Sequence, residues 1–286
     1  MLDNNEQDTG KYRINLKDKF YTRMDVAKKC IDTIINKYPK TNASIWIEPS
    51  AGDGSFLRNV PNGYEKIGID LEPGAPDIIA TDFLKWNYEN KNKGILIFGN
   101  PPFGRQASLA KAFIKKSCAI ADMIAFILPK SFLKPSMSNA FGIKFHCEYS
   151  INLERDSFLI NGVAHDVPCV FQIWVKKQEN RAIVLKELEM GFKYRKPNEL
   201  YDVAIRRVGG LAGKAYRRGE KEFNVQTHYF VKLDNVENGA IEKLMEQVNS
   251  HKFTDNTVGP RSISKAEMNV VLNGFLQIEE LKCSSV

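Results

Sequence analysis

An apolar run leads directly into a glycine-containing loop in the stretch Ser44-Ile45-Trp46-Ile47-Glu48-Pro49-Ser50-Ala51-Gly52-Asp53-Gly54-Ser55-Phe56. The run from Ser44 to Ile47 is typical of a β-strand. A Gly-x-Gly turn behind a strand lets the backbone approach a bound nucleoside closely, because a Cβ at Gly52 or Gly54 would obstruct that approach. Glu48 and Asp53 would repel a pyrophosphate and suit a cationic amino-acid group instead. The stretch therefore predicts a nucleoside-binding loop, and a tight turn without a chemical role is the alternative.

Strand and helix patterns alternate on both sides of this loop. Residues Met24 to Tyr38 place apolar side chains at helical spacing, and Pro39 ends the pattern. We predict that the loop after Ile47 opens into a second helix. The predicted strands are Ser44–Ile47, Lys66–Ile69, Asp77–Ala80, Ile95–Phe98 and Met123–Leu128. This alternation predicts an α/β fold, in which a mainly parallel sheet carries helices on its faces.

The pattern changes after Pro129. Two β-type runs, Ser157–Ile160 and Cys169–Lys177, are connected through Asn161-Gly162, which predicts an antiparallel edge pair and a mixed sheet. Beyond about residue 186, the sequence predicts a strand at His228–Leu233 and helices at Ala240–Val248 and Ser264–Phe275. We expect a disordered tail at residues 1–18, one domain at 19–180 and a small α+β domain at 186–286.

Composition narrows the class of protein. With 43% hydrophobic and 26% charged residues among 286, the chain has the composition of a globular protein with a sizeable core. No apolar run approaches the roughly 20 residues that span a bilayer, so we expect an intracellular protein. The five cysteines have no CxxC spacing, which predicts neither a metal site nor a disulfide framework.

Positive charge is concentrated in one segment of the C-terminal region. Between Lys193 and Lys221 there are nine basic and three acidic residues, a net charge of +6. Such a concentration indicates a polyanionic partner, and a solvated basic face without a ligand is the alternative. The basic residues that we expect to contact phosphates are Arg206, Arg207, Arg217 and Arg218.

Acidic residues follow the next two predicted strands. Asp70 ends the second strand, where a carboxylate can accept both hydroxyl groups of a ribose. Asp82 follows the third strand and can accept a hydrogen bond from an adenine amino group. At the carboxyl ends of neighbouring strands, these two residues predict one adenosine-binding crevice.

The fourth predicted strand leads into Gly99-Asn100-Pro101-Pro102-Phe103-Gly104. The two prolines restrict the backbone, so the Asn100 carboxamide and the Pro101 carbonyl form a rigid pair of hydrogen-bond acceptors. An aromatic amino group is a poor nucleophile because its lone pair is delocalised into the ring. Two acceptors on its hydrogens favour a tetrahedral nitrogen whose lone pair is free to attack. Phe103 would supply a flat face on which an extruded base stacks.

These motifs together resemble one family. Phe20-Tyr21-Thr22, Glu48 to Phe56, Asp70, Asp82 and Asn100 to Phe103 are similar to the motifs of N6-adenine methyltransferases in the γ order. The resemblance extends over about residues 19–177. It implies a Rossmann-like methyltransferase fold whose seven-stranded, mostly parallel sheet has a reversed last hairpin.

The resemblance also implies a cofactor and the residues that bind it. The cofactor would be S-adenosylmethionine, with Asp70 at its ribose and Asp82 at its adenine. Its methionine part would contact Tyr21, Thr22, Glu48, Ala51 and Gly52. Phe158 is the nearest candidate for a second aromatic residue against the target base, and a core position in an edge strand is the equal alternative for it.

Three alternatives stay open at this point. A protein-glutamine N5-methyltransferase would present a similar amide to Asn100 and Pro101, although that family generally has Tyr in place of Phe103. An inactive methyltransferase fold that binds nucleic acid is the second alternative, and the intact Asn-Pro-Pro-Phe motif argues against it. The third concerns the substrate, for which DNA is favoured over RNA. Because only about a hundred residues follow the predicted catalytic domain, the basic segment is expected to bind phosphates without reading bases.

Overall fold

The structure, a computed structural model, describes residues 20–39, 43–88, 94–183, 187–234, 239–256 and 260–283. The predicted disordered tail at residues 1–18 lies outside these ranges. The chain divides into a first unit, residues 1–184, and a second unit, residues 185–286. None of the helices in the described ranges is long and apolar enough to cross a membrane.

The first unit contains ten strands and two α-helices among its described residues. In chain order they are β1 (Tyr21–Thr22), α1 (Met24–Lys37), β2 (Ala43–Glu48), β3 (Glu65–Asp70), β4 (Ile78–Ala80), β5 (Gly94–Gly99), α2 (Ser108–Ile120), β6 (Met123–Pro129), β7 (Phe145–Asn152), β8 (Phe158–Ile160), β9 (Val163–His165) and β10 (Cys169–Lys176). All five strands predicted up to residue 128 are therefore present. The helix predicted over residues 24–38 is also confirmed.

Seven of these strands form one sheet in the order β4-β3-β2-β5-β6-β10-β7. The first five are parallel, and β10 inserts antiparallel between β6 and β7. Residues of β5 and β6 are buried on both faces, which explains why these strands appear in the sequence as continuous apolar runs. The predicted Rossmann-like methyltransferase sheet, mostly parallel with an antiparallel last hairpin, is confirmed.

The predicted composition of that last hairpin is wrong. Residues Ser157–Ile160 do not pair with Cys169–Lys177; β10 pairs instead with β7, which the sequence analysis missed. Strand β7 lies at the sheet edge and is mostly exposed beyond Phe145, so it has no apolar run that would reveal it. The Asn161-Gly162 turn, with positive φ at both residues, joins β8 to β9, and β8 pairs with β1 in a separate three-stranded sheet.

The helix predicted after the glycine loop is also wrong. The chain there forms turns and one short 3₁₀ segment, Leu57–Asn59. Pro61 disfavours helical backbone at the residue before it, and Val60 is extended. The loop is held instead by Leu57, whose side chain is buried in the unit.

The second unit is a four-stranded antiparallel sheet with two helices. Its elements are β11 (Phe192–Arg195), β12 (Val203–Arg206), β13 (Ala215–Arg217), β14 (His228–Leu233), α3 (Ala240–Ser250) and α4 (Lys265–Cys283), and the sheet order is β11-β14-β12-β13. The strand predicted at His228–Leu233 and both predicted helices are confirmed. Apolar residues of α3 and α4, among them Leu244 and Leu272, pack with Val203 and Val231 into the core of this unit.

Candidate active site

Three loops that carry predicted site residues meet at one edge of the large sheet. They follow β2, β3 and β5, which are adjacent and parallel, so their carboxyl ends lie side by side. Two hydrogen bonds join the loops directly. The Gly52 N–H donates to Asp70 Oδ2 at 2.7 Å, and the Ser50 hydroxyl donates to the Asn100 carbonyl at 2.9 Å. Ser50 was not identified from the sequence, since a serine in a loop has no distinguishing pattern.

The Gly-x-Gly turn requires its glycines. Gly52 and Gly54 have φ values of +53° and +84°, a region that other residues adopt at a cost. A Cβ on Gly52 would lie 3.0 Å from the Tyr21 ring, so Tyr21 of β1 closes over this loop. Gly74 also holds this loop, because its N–H donates to the Gly52 carbonyl at 2.7 Å. A Cβ on Gly74 would approach the same carbonyl to 2.9 Å, which the sequence alone did not indicate.

Glu48 ends β2 inside the unit rather than in solvent. It is only 2% exposed, and its Oε2 accepts a 3.2 Å hydrogen bond from the Leu57 N–H. Burial raises the pKa of the Glu48 carboxyl well above its ordinary value, and the nearby Asp53 and Asp70 raise it further. Gly99 makes room for this side chain, since a Cβ there would lie 3.2 Å from Glu48 Oε1. A buried carboxyl of this kind favours a cationic partner.

The other predicted cofactor residues surround the same loop. Asp70 Oδ1 also accepts from the Glu72 N–H at 2.9 Å, so each carboxylate oxygen of Asp70 accepts from a backbone N–H. Ala51 is buried, and its N–H donates to the Ile69 carbonyl. Asp53 accepts from Ser55, and Asp82 accepts from the Leu84 N–H. Although these acids are near one another in the chain, the described residues contain no group of His, Cys, Asp or Glu arranged to hold a metal ion.

The Asn100-Pro101-Pro102-Phe103 segment begins where β5 ends. Asn100 Oδ1 is buried and has no hydrogen-bond partner in the described part of the chain. Leaving a buried acceptor unpaired costs about 1 to 3 kcal/mol, so such an atom is a candidate for ligand contact. Pro101 is buried, whereas Pro102 is exposed and Phe103 is half-buried against the core of the unit.

The segment then turns sharply into α2. Gly104, Gln106 and Ala107 all have positive φ, of 65°, 52° and 58°. For Gln106 and Ala107 this is a strained backbone conformation, and such strain is concentrated at functional sites. The turn is closed by the Ala110 N–H, which donates to the Phe103 carbonyl at 3.3 Å.

Thr22 and Phe158 face each other in the small sheet. They are paired residues of β1 and β8, so this sheet attaches the Phe20-Tyr21-Thr22 segment to the rest of the unit. Thr22 Oγ1 is buried and, over the ranges that the structure describes, makes no hydrogen bond. Phe158 is 1% exposed and packs edge-on against Phe20. Its burial favours the core position over a stacking surface for a target base.

The four arginines of the second unit have different surroundings. Arg217 forms an ion pair with Glu242 of α3, and Arg207 lies over the Tyr229 ring and donates to the Gln226 carbonyl. Arg206 donates to the Val208 carbonyl. Arg218 lies over the Tyr201 ring, 5.5 Å from its centroid. The charge cluster seen in the sequence is thus distributed over both sides of the sheet.

Comparisons with known proteins give weak similarities of fold. No family model and no curated protein matches the sequence. Among solved structures, a Pyrococcus horikoshii protein provisionally named as an RNA methyltransferase shares 13% identity over 55% of this chain and 87% of its own, with a TM-score of 0.42. The magnesium protoporphyrin IX methyltransferase of Synechocystis PCC 6803, solved with bound S-adenosylmethionine, shares 8% over 54% of this chain and 79% of its own, with a TM-score of 0.39.

A third similar structure extends over more of the chain. It is provisionally named as the modification subunit of a type I restriction enzyme from Vibrio vulnificus YJ016, and shares 12% identity over 86% of this chain and 56% of its own, with a TM-score of 0.42. Similarity this weak identifies neither substrate nor reaction. The function of this chain must therefore be inferred from its site residues.

Proposed function

We propose that this protein is an S-adenosylmethionine-dependent methyltransferase that methylates the N6 amino group of adenine in nucleic acid, with DNA favoured over RNA. The observation that carries the proposal is Asn100 Oδ1, a buried acceptor without a partner among the described residues, at the carboxyl end of β5. Such an atom requires a hydrogen-bond donor, and an amino group of the target base would supply one. The adjacent prolines fix the acceptor before any substrate arrives.

The residues around the glycine loop fit the cofactor. Three features are suited to its amino-acid part: the positive-φ backbone at Gly52 and Gly54, the buried Glu48 carboxyl, and the Thr22 hydroxyl, which has no hydrogen-bond partner among the described residues. Asp70 would hold the ribose hydroxyls, and Asp82 the adenine. When bound, the cofactor supplies an electrophilic methyl group on a sulfonium sulfur. Leu71, which follows Asp70 and is exposed, offers an apolar surface beside the same crevice.

The protein's own contribution to the reaction is to orient the adenine amino group. Asn100 Oδ1 and the Pro101 carbonyl would accept its two hydrogens, which turns the nitrogen lone pair out of conjugation with the ring and towards the methyl group. Phe103 would stack on the base and hold it in place. The nitrogen loses its proton only after it has gained the methyl group and become cationic, so no base of shifted pKa is needed beforehand.

A labelled-methyl assay tests this proposal. The purified chain is incubated with methyl-labelled cofactor and separate pools of DNA, RNA and protein, and the labelled pool is digested to nucleosides or amino acids. We expect N6-methyladenosine or its deoxy form. Methylated cytosine or methylated glutamine would overturn the proposal, and the second product would favour the glutamine alternative.

The Asn100→Ala variant ties the activity to the site. Its single-turnover rate should fall about 100- to 1,000-fold, as when one preorganised transition-state hydrogen bond is lost. Its affinity for S-adenosylhomocysteine should be unchanged, because Asn100 Oδ1 is assigned to the target base. Asn139→Ala, at an exposed asparagine of the same unit, is the matched control and should keep the wild-type rate. A wild-type rate in Asn100→Ala would contradict the assignment.

A further inference from the structure

The sheet of the second unit has two chemically different faces. On one face, Val203, Ile205 and Val231 pack against α3 and α4. The opposite face carries a separate small cluster formed by Tyr201, Ala204, Phe230 and the half-buried Phe223. Because side chains alternate along a strand, the neighbours Ala204 and Ile205 lie on opposite faces. We call the face that carries Tyr201 and Phe230 the aromatic face.

Strand register places cations beside these rings. Arg195 of β11 is paired with Phe230 of β14, and Phe230 is paired with Ala204 of β12. One row across the aromatic face therefore runs from a cation to an aromatic ring and then, through Ala204, to Tyr216 of β13. Arg195 is exposed, so its charge is directed to solvent.

The loop after β13 adds two more cations and a groove. Arg218 lies over Tyr201 at 5.5 Å, and the Lys221 ammonium lies 3.9 Å from the centroid of the Tyr216 ring. A groove of about 390 Å³ is lined by Pro197, Tyr201, Arg218, Gly219, Lys221, Glu222, Phe223 and Phe230. Two cations and one exposed carboxylate therefore border it. That volume is within the range of pockets that hold small organic ligands, roughly 300 to 1,000 Å³.

The cations at and beside this groove form no ion pair with a carboxylate among the described residues. Within the described ranges, Arg195, Arg218 and Lys221 have no carboxylate within 4.0 Å, whereas Arg217 next to Arg218 is paired with Glu242 on the helix side. A cation held over an aromatic ring at an exposed site is bound weakly, so Arg218 and Lys221 can turn to an anion at small cost. Positive charge beside aromatic rings is complementary to a phosphate with its attached base.

We propose that this groove binds an unpaired nucleotide of a single-stranded nucleic-acid segment, with the base against Phe223 and Tyr201 and the phosphates on Arg218 and Lys221. The groove is lined by side chains rather than by a projecting helix, so it suits a base that is free of its complement. The inference rests on the proposed function for the kind of polymer and deepens it, because it makes a single-stranded region part of the substrate.

Fluorescence anisotropy with the full chain tests this proposal. The probes are a labelled single-stranded DNA of about 12 nucleotides, within the size range of single-strand sites, the RNA of the same sequence, and the corresponding duplex. We expect at least tenfold tighter binding of one or both single strands than of the duplex. Equal or tighter binding of the duplex would overturn the proposal, and the comparison of the two single strands identifies the preferred polymer.

The neighbouring arginines provide a matched pair of variants. Arg218→Gln should weaken single-strand binding. It should also reduce the slope of log affinity against log salt concentration by about 0.7, the value for one lost phosphate contact on a single strand. Because Arg217 is paired with Glu242 on the helix side, we no longer assign it to the phosphate contacts expected from the sequence. Arg217→Gln, which removes the same charge there, should leave both quantities unchanged. Equal losses in the two variants would mean that only the overall charge matters and would overturn the assignment of the groove.

Phe223→Ala tests base stacking separately from charge. Losing one base–aromatic stack should lower affinity about 5- to 150-fold, with the salt dependence unchanged. Wild-type affinity in this variant would contradict the proposed position of the base. Binding is measured without methyl transfer, so a failure of the proposed methylation would leave these results interpretable. Conversely, if the protein methylates adenine but does not prefer single strands, only the proposed nucleotide binding in the groove would be rejected.

Discussion

Glu48 is a buried carboxyl group whose pKa is raised, chiefly by burial. A group with a raised folded-state pKa stabilises the fold below its ordinary pKa of 4.5, and this contribution is lost as the pH rises through the raised value. A cationic amino group placed beside it would favour the ionised form. We therefore predict that S-adenosylhomocysteine binding releases a proton at a pH between these two values.

Calorimetry in buffers of different ionisation enthalpy measures this proton release. The isosteric Glu48→Gln variant should show no release, and its affinity should not rise with pH in that interval. The same variant should also lose the pH dependence of stability that Glu48 contributes. Proton release that persists in Glu48→Gln would contradict the assignment of this linkage to Glu48.

Asp70 accepts from the Gly52 and Glu72 N–H groups and has one predicted ligand contact. Asp70→Ala should weaken S-adenosylhomocysteine binding by about 1.5 to 3 kcal/mol, the range for hydrogen bonds to a charged group. Part of the loss would come from Gly52, whose N–H loses its acceptor. Asp77→Ala, at an exposed aspartate in the following loop, should bind normally. Titration calorimetry compares the two, and unchanged affinity in Asp70→Ala would mean that the cofactor lies elsewhere.

The turn between the Asn-Pro-Pro-Phe segment and α2 stores strain at Gln106. A left-handed conformation costs a non-glycine residue about 1 to 2 kcal/mol, and glycine adopts it freely. We predict that Gln106→Gly leaves the free energy of unfolding unchanged or raises it. Lys115→Gly, at an exposed position inside α2, should lower it by about 1 kcal/mol. Denaturant unfolding of both variants checks this, and an equal loss in the two would show that Gln106 is not strained.

Elements with strong local patterns were predictable from the sequence. Strands β2, β5 and β6 are apolar runs because these parallel strands are covered on both faces, and α1 has a clear helical spacing. Edge strand β7 was missed because its exposed residues resemble a loop, and the Asn161-Gly162 turn was assigned to the wrong pair of strands. That turn is a correct hairpin signal, but a local signal does not say which neighbour a strand joins.

The candidate site was predictable to a similar extent. The positive φ values at Gly52 and Gly54 and the convergence of Asp70 and Asn100 follow from motifs at the ends of parallel strands. Ser50 and Gly74 could not be found, because their roles depend on contacts between loops that are distant in sequence. The burial of Phe158 likewise depends on the small sheet formed with β1, which no local pattern indicated.

At the scale of the whole molecule, counting charges along the sequence located the basic region. The count did not predict on which side of the sheet each arginine lies. Arg217 and Arg218 are adjacent in sequence, yet one is paired with Glu242 and the other lies beside the groove. Alternation along β13 and the end of the strand separate them. The first unit therefore contains the residues proposed for methyl transfer, and the second unit contains those proposed for binding the nucleic acid.

This division predicts that defects in the two units combine independently. Asn100→Ala should lower the single-turnover rate at saturating nucleic acid and leave polymer affinity intact, whereas Arg218→Gln should do the reverse. Among the described residues, Asn100 and Arg218 share no partner. The free-energy changes that the two variants cause in the single-turnover rate at subsaturating nucleic acid should therefore add in the double variant within about 0.5 kcal/mol. A cycle of the wild type, both single variants and the double variant measures this coupling. A larger coupling energy would mean that Arg218 takes part in placing the adenine at Asn100, so that polymer binding and base orientation would not be separate functions of the two units.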